Sequence, residues 1–332
     1  MTFDDFDLAP SLMEGIEGMR YKTPTPIQAE AIPIILGNHD LIGCAQTGTG
    51  KTAAFIVPVI HKLTQSPGKG IKCLAIAPTR ELAQQIDQQV DGLGYFTGIR
   101  SAAVYGGNQP AEFRLQKQAI LEGADIVIST PGRLISHLNL GYVDLSSLEV
   151  LILDEADRML DMGFIDDIMR IVKLLPKERQ TLMFSATMAA GIRKLAQQIL
   201  REPKQINLAI AKPAEGITQK GYMVYDDNKI KLLEHLIKGE DVQNMLIFAS
   251  KKSSVDSIVR ALRKLDLNAS SMHSGKSQDE RNETLRKFRA NAVQILVATD
   301  ILSRGIDIEG LSHVLNYDIP DDPADYVHRI GR

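Results

Sequence analysis

Short runs of aliphatic residues recur along the chain and alternate with longer stretches whose apolar residues return every third or fourth position. In the first half the runs fall at about 40–45, 72–77, 101–105, 125–129, 149–153, 180–184 and 205–208. Between them lie segments such as "RELAQQIDQQVDGL", where Leu82, Ile86, Val90 and Leu93 share one helical face. Runs this apolar suit strands buried on both faces, hence a parallel sheet covered by helices. The pattern lapses over 209–218, which holds Pro213, Gly216 and no periodicity, and so reads as a linker. It resumes with expected strands near 220–225, 244–249, 268–272, 293–298 and 311–316. The predicted fold is α/β: a first domain over 1–208 and a second over 219–332, each a mostly parallel sheet flanked by helices. A ligand is expected in the cleft between them.

Bulk properties narrow this picture only a little. At 332 residues the chain exceeds one ordinary core, and 44% hydrophobic with 24% charged residues is the composition of a globular protein. Two cysteines and no tryptophan argue against a disulfide-built secreted domain. Cys44 and Cys73 each sit inside an apolar run and read as reduced core residues of a cytoplasmic protein. The acidic N-terminus lacks the apolar segment of a signal peptide, and no run approaches bilayer length, so no membrane partner is expected. A net charge of −3 neither demands nor excludes a nucleic acid. The final residues, "DYVHRIGR", form a basic motif with no strand after it, which suggests a fragment of a longer protein with an incomplete second domain.

Candidate chemistry begins at "AQTGTGKT", Ala45–Thr52, which follows an apolar run and precedes a helical pattern. It fits a phosphate-cradling P-loop with Ala45 at the position where glycine is strict. Backbone amides across Gln46, Thr47, Gly48, Thr49 and Gly50 would approach phosphate oxygens, with the two glycines removing any Cβ from the way. Lys51 would bring positive charge to the β and γ phosphates, and the Thr52 hydroxyl would ligate Mg²⁺. Downstream, "EVLILDEAD" delivers Asp154 and Glu155 to the end of an aliphatic strand. Asp154 would hold the metal, and Glu155 would orient and deprotonate a water for attack on the γ-phosphate. A carboxylate placed for water implies hydrolysis of the nucleotide.

The motifs "TPTPIQ", "AQTGTGKT", "PTRELAQQ", "STPGR", "DEAD", "SAT", "ATDILSRGIDI" and "HRIGR" occur in the order seen in DEAD-box RNA helicases, and the chain resembles that family from Phe3 to Arg332. "DEADRMLDMGF" looks closest to bacterial RhlE-type members. The resemblance implies two RecA-like domains, ATP with Mg²⁺, and a monomer that grips single-stranded RNA or a short RNA duplex by its backbone. It implies an RNA-dependent ATPase that locally unwinds short duplexes or remodels RNA–protein complexes. An alternative is an RNA clamp or scaffold with little turnover, because the last motif is cut short. A translocating DNA or DExH-type helicase fits less well with "TPTPIQ" and "DEAD".

Carried over residue by residue, Gln28 would read the adenine edge, with Tyr21 and Phe3 packing around the base. Arg20 departs from the glycine usual before that aromatic. RNA contacts would come from Pro78, Thr79, Arg80, Glu81, Gly106, Gly107, Thr130, Pro131, Gly132 and Arg133 in the first domain. In the second they would be Ser250, Lys251, Gln278, Arg281, Thr299 and Asp300. Asp157 with Ser185, Ala186 and Thr187 would couple the carboxylate site to domain closure. Asp307 would bind the ribose, His328 would contact the acidic motif, and Arg329 would lie at the domain interface. Arg332 would act as an arginine finger on the γ-phosphate.

Overall fold

The computed structural model describes residues 1–45, 48–66, 68–107, 110–208, 217–238, 244–299, 310–320, 326 and 329–330. The chain divides into two compact units, Met1–Ile210 and Ala211–Arg332.

The first unit is built on seven strands: β1 (Leu41–Cys44), β2 (Cys73–Ile76), β3 (Ser101–Val104), β4 (Ile126–Ser129), β5 (Val150–Leu153), β6 (Gln180–Ser185) and β7 (Lys204–Asn207). They lie in the order β3-β4-β2-β5-β6-β1-β7, and every pairing is parallel. Helices α1 (Pro10–Gly18), α2 (Pro26–Leu36), α3 (Lys51–Gln65) and α4 (Arg80–Gly94) precede or separate the first strands. Then come α5 (Pro110–Leu121), α6 (Pro131–Leu138), α7 (Ala156–Asp161), α8 (Ile165–Val172) and α9 (Ala190–Ile199).

The two faces of the sheet seed two cores because successive side chains point to opposite sides. Ile152 joins Ile27, Phe55, Ile86 and Phe184 on one face. Its neighbours Leu151 and Leu153 join Met159, Ile168, Ile171 and Leu195 on the other. Strands so enclosed must be apolar throughout, which is why β1, β2, β4, β5 and β6 are buried along their whole length. Cys44 and Cys73 are free and buried within this layer.

Helix α1 ties the N-terminal segment to α4 by a close backbone approach at Gly15. A Cβ there would lie 2.1 Å from the Leu93 carbonyl oxygen.

In the second unit β8 (Met245–Phe248), β9 (Ala269–Met272), β10 (Ile295–Ala298) and β11 (His313–Asn316) form a parallel sheet in the order β11-β8-β10-β9. Helices α10 (Lys229–Ile237), α11 (Lys252–Arg263) and α12 (Gln278–Arg289) accompany them. The strand expected near 220–225 is not formed: Ile217–Tyr225 carry no secondary structure, and Tyr222, Met223 and Tyr225 are exposed. That segment is a short apolar and aromatic run that pairs with no strand among the described residues, and an unpaired ladder leaves its backbone to water. Most of the expected linker, 209–216, lies outside the described residues.

Gly15→Ala is expected to cost about 1–3 kcal/mol, because α1 must move away from α4 to admit the methyl group. Urea unfolding of the full chain measures it, and an unchanged midpoint would contradict the close packing.

Candidate functional site

The carboxyl ends of β5, β6 and β1 are neighbours, and each continues into a segment expected to bind or sense nucleotide. They are Asp154–Asp157, Ser185–Thr187 and Ala45–Thr52. Ala45 extends the ladder by donating its N–H to the Ser185 carbonyl at 3.1 Å. On the other half of the same edge, β3, β4 and β2 run into Gly106–Gly107, Thr130–Arg133 and Pro78–Glu81. The Asp154 N–H, bonded to the Ile76 carbonyl at 3.0 Å, joins the two halves. Six of the predicted segments therefore emerge side by side from one sheet edge, the edge at which ligands bind in open α/β sheets.

The phosphate loop is braced before any ligand arrives. Gly48 and Gly50 have φ of 81° and 86°, the left-handed region that glycine enters without strain. At Gly50 space matters too, since a Cβ would lie 2.5 Å from Gln28 Nε2. Lys51 is buried and donates from Nζ to the Ala45 carbonyl at 2.8 Å, across the loop it belongs to. Gln46 and Thr47 lie outside the described residues.

Gln28 is tied to this loop more closely than the sequence shows. Its Oε1 accepts from the Thr25 N–H at 2.9 Å and its Nε2 donates to the Gly50 carbonyl at 3.1 Å, while the Thr25 hydroxyl donates to the Thr49 carbonyl at 2.8 Å. One N–H and one lone pair of that amide remain for an adenine edge. Phe3 is buried, with its ring stacked against Tyr21 at a centroid distance of 6.3 Å. Arg20 has φ 59°, so it holds the left-handed backbone that a glycine would supply there. The departure from the family pattern keeps the turn at a cost of about 1–2 kcal/mol.

At the end of β5, Asp154 is enclosed, and burial pushes its carboxyl up to about 7. Lys51 opposes that rise and the Glu155 charge adds to it. Glu155 opens α7 in the left-handed conformation, φ 52° and ψ 51°. A non-glycine residue held there stores strain of about 1–3 kcal/mol, a device found where side-chain aim matters. Its Oε2 lies 3.4 Å from Arg158 Nη1.

These residues fit a divalent cation. Among the described residues no three metal-binding side chains form a closed cage. Mg²⁺ characteristically takes one or two carboxylates and completes its shell with water and phosphate. Asp154, a buried carboxylate near the Lys51 charge, and the hydroxyl of Thr52, next to Lys51 in the chain, are of the type such a site uses.

Asp157 connects this site to β6. Its Oδ2 accepts from the N–H groups of Ala186 (3.2 Å) and Thr187 (3.1 Å) and from the Thr187 hydroxyl (3.3 Å). Ser185 closes the turn by donating its hydroxyl to the Thr187 carbonyl at 2.7 Å.

On the other half of the edge, Thr79 caps α4 by accepting from the Leu82 N–H at 3.3 Å. That leaves Arg80 beside Gly106, where a Cβ would come within 3.4 Å of Arg80 Nη2. Arg133 donates from Nε to the Tyr105 carbonyl (3.0 Å) and from Nη2 to the Gly107 carbonyl (2.9 Å). Burial, and then the nearby Arg80 charge, lower its pKa. The carboxylate of Glu112 lies against Gly107, and its Oε2 is buried without a hydrogen-bond partner among the described residues. Glu112 has no signal in the sequence, since it lies on a helix of unremarkable pattern.

In the second unit, Ser250 and Lys251 follow β8, Gln278 opens α12 with Arg281 one turn on, and Thr299 follows β10. The Ser250 N–H donates to Asp318 Oδ2 at 2.9 Å, and that of Thr299 to the Met272 carbonyl at 3.1 Å. Asp300, Asp307, His328 and Arg332 lie outside the described residues. Arg329, expected at a domain interface, is fully buried. Its Nη1 bonds Asn316 Oδ1 (3.1 Å) and the Asp318 carbonyl (2.7 Å), and its guanidinium lies over the Phe248 ring.

The DEAD/DEAH box helicase family model matches residues 25–195, and the helicase conserved C-terminal domain matches 228–332. The DEAD-box ATP-dependent RNA helicase CshA of Geobacillus kaustophilus is 41% identical over 332 residues, covering 100% of this chain and 70% of that protein. The Bacillus subtilis protein of the same name is 40% identical over 334 residues, with 100% and 67% covered. Among solved structures, Saccharomyces cerevisiae Dbp5 bound to RNA and ADP BeF3 is similar with a TM-score of 0.86 and 31% identity, covering 100% of this chain and 85% of that one. These bacterial relatives bear the name CshA, and the narrower RhlE-type likeness finds no support in them.

Asp157→Ala strands two N–H groups at the end of β6 and is expected to destabilise the chain by about 2–4 kcal/mol. Urea unfolding measures the loss, and a change under about 0.5 kcal/mol would contradict the tie to β6.

A second expectation concerns pH. His137 of α6 is fully buried, and burial, then the Arg133 charge, push it down to about 4. Between its ordinary value and 4 the unfolded chain binds a proton that the folded chain does not. Its contribution is therefore complete above pH 6.5 and is lost as pH falls toward 4. Asp154, shifted upward, acts in the opposite sense over the same range. Comparison with His137→Leu isolates the histidine: from pH 7 to 5 the natural chain should lose about 2 kcal/mol more than the variant. Equal losses would contradict the depressed value.

Proposed function

Because this chain belongs to the DEAD-box ATP-dependent RNA helicases, we propose that the edge of its first sheet binds ATP with Mg²⁺ on one half and the RNA backbone on the other. Hydrolysis then serves to separate short RNA duplexes or remodel RNA–protein complexes. The observation that carries this reading is the side-by-side emergence of the two sets of segments, joined at Asp154 and Ile76.

On the nucleotide half, Lys51 leaves the Ala45 carbonyl and turns its ammonium to the β and γ phosphates, while amides from Gly48 to Gly50 line the loop. Mg²⁺, held by Asp154 and the Thr52 hydroxyl, would neutralise phosphate charge. Glu155 orients the attacking water and accepts its proton, with Arg158 steadying the carboxylate from 3.4 Å. Gln28 presents its remaining donor and acceptor to adenine. Asp157 passes the position of α7 to Ser185–Thr187.

On the other half, Arg80, Arg133 and the Gly106–Gly107 amides take phosphate and sugar oxygens, which positions a strand without reading its sequence. Discrimination from DNA falls to 2′-hydroxyl contacts. The −3 net charge suits a strand that must be released, since each neutralised phosphate adds affinity and salt dependence. Ser250, Lys251, Gln278, Arg281, Thr299 and Asp300 would extend the RNA path. Asp307, His328 and Arg332 would complete the nucleotide site. We place the protein in the cytoplasm as a monomer.

Glu155→Gln is expected to reduce RNA-stimulated ATP hydrolysis by about 10²-fold or more while ATP binding stays within about threefold. Steady-state turnover with and without single-stranded RNA, beside equilibrium nucleotide binding, checks it. Turnover that survives the substitution would contradict the role of Glu155.

A further inference from the structure

Behind the glycine loop lies a cluster that none of the nucleotide or RNA assignments uses. Its centre is His137, a fully buried imidazole on α6, one helical turn beyond Arg133. The ring stacks on Phe113 of α5 with centroids 4.1 Å apart and planes 4° from parallel. It meets Tyr142 edge-on at 5.9 Å. The Arg133 guanidinium lies over the same Phe113 ring at 5.1 Å, and Lys117 over Tyr142 at 4.8 Å.

The polar atoms of the cluster form a directed chain. The Tyr142 hydroxyl bonds His137 Nδ1. His137 Nε2 faces Gln116 Oε1 at 3.2 Å, and Gln116 Nε2 donates to the Tyr105 carbonyl at 2.9 Å. Gln116 Oε1 can only accept, so the histidine proton sits on Nε2, and Nδ1 accepts from the tyrosine. A neutral imidazole satisfies both bonds, in keeping with its lowered pKa.

The chain ends on the carbonyl immediately before Gly106. That oxygen also accepts from Arg133 Nε, while Arg133 Nη2 takes the Gly107 carbonyl. With the carbonyls of residues 105 and 107 drawn toward α5 and α6, the loop conformation is held by both helices. No described group accepts from the Gly106 or Gly107 N–H. Those amides are open to a ligand, and successive free amides suit an anion, although the Glu112 carboxylate lies against Gly107.

We propose that His137 is a positioning residue for RNA binding, which through Gln116 locks the Gly106–Gly107 loop and the Arg133 guanidinium in the arrangement that receives an RNA phosphate. The inference rests on the reading of that loop and Arg133 as a phosphate-binding half-edge. It adds that their affinity is set from behind, by a side chain that never touches RNA.

The test uses the full chain and a fluorescently labelled single-stranded RNA with a non-hydrolysable ATP analogue. His137→Leu, which ends the chain of hydrogen bonds, should weaken RNA binding about tenfold, the order expected for one misplaced charge-assisted contact. Affinity for the ATP analogue alone should stay within about twofold. His137→Gln, which can still donate to Gln116, should recover most of the RNA affinity. Should His137→Leu fail to fold, Gln116→Leu breaks the same chain one step nearer the loop and should show the same split. RNA binding unchanged in a folded His137→Leu or Gln116→Leu chain overturns the proposal, as does an equal loss of RNA and nucleotide affinity. Arg133→Ala separates the two levels. If it too leaves RNA binding unchanged, the reading of the loop as a phosphate site fails; if it alone weakens binding, only the role of His137 fails.

Discussion

A parallel sheet buried on both faces can present chemistry only at its edges, and the rest of this structure follows from that constraint. Strands β1, β2, β4, β5 and β6 are buried through their whole length because helices cover both sides. Each polar segment must therefore begin where a strand ends. The strand order β3-β4-β2-β5-β6-β1-β7 then decides which segments become neighbours. It sets the glycine loop, Thr130–Arg133 and Pro78–Glu81 on one side, with the acidic motif, Ser185–Thr187 and the phosphate loop on the other. Ladder bonds continue past the strand ends, from Thr130 N–H to the Val104 carbonyl and from Ala77 N–H to the Ser129 carbonyl. The two halves are thus parts of one hydrogen-bonded frame.

On that frame the reactive side chains are held by contacts that a ligand can exchange. Lys51 rests on the Ala45 carbonyl, and Glu155 leans toward Arg158. Burial raises the Asp154 carboxyl, an unfavourable state that a cation would relieve. Glu155 sits in a left-handed turn that the closed packing of α7 enforces. Stability is given up at these places for readiness to bind, as is common at functional sites. His137 works in the opposite direction: its enclosure is satisfied at both nitrogens, and it lends rigidity to the loop in front of it.

Much of this was legible in the sequence, and the reasons are local. The positions of β1, β2, β4 and β5 follow from aliphatic runs that suit a doubly covered sheet. The phosphate loop and the acidic motif are readable because their chemistry needs residues close together in sequence. What failed depended on distant partners. Tyr222–Tyr225 is a strand-like apolar and aromatic run with no pairing strand among the described residues, so composition overstated it. Gln28 gave a base-reading signal without revealing that its amide already braces Gly50. The cluster of Phe113, Gln116, His137 and Tyr142 had no signal at all, because two helices and a turn must fold before its members meet.

If nucleotide and RNA occupy the two halves of one hydrogen-bonded edge, as proposed, each should influence the other. The most direct measurement is the affinity for single-stranded RNA with and without a non-hydrolysable ATP analogue, paired with the affinity for that analogue with and without RNA. Each ligand should tighten the other by the same factor, about tenfold or more, since linkage requires the two couplings to be equal. RNA and nucleotide affinities that ignore one another would contradict it.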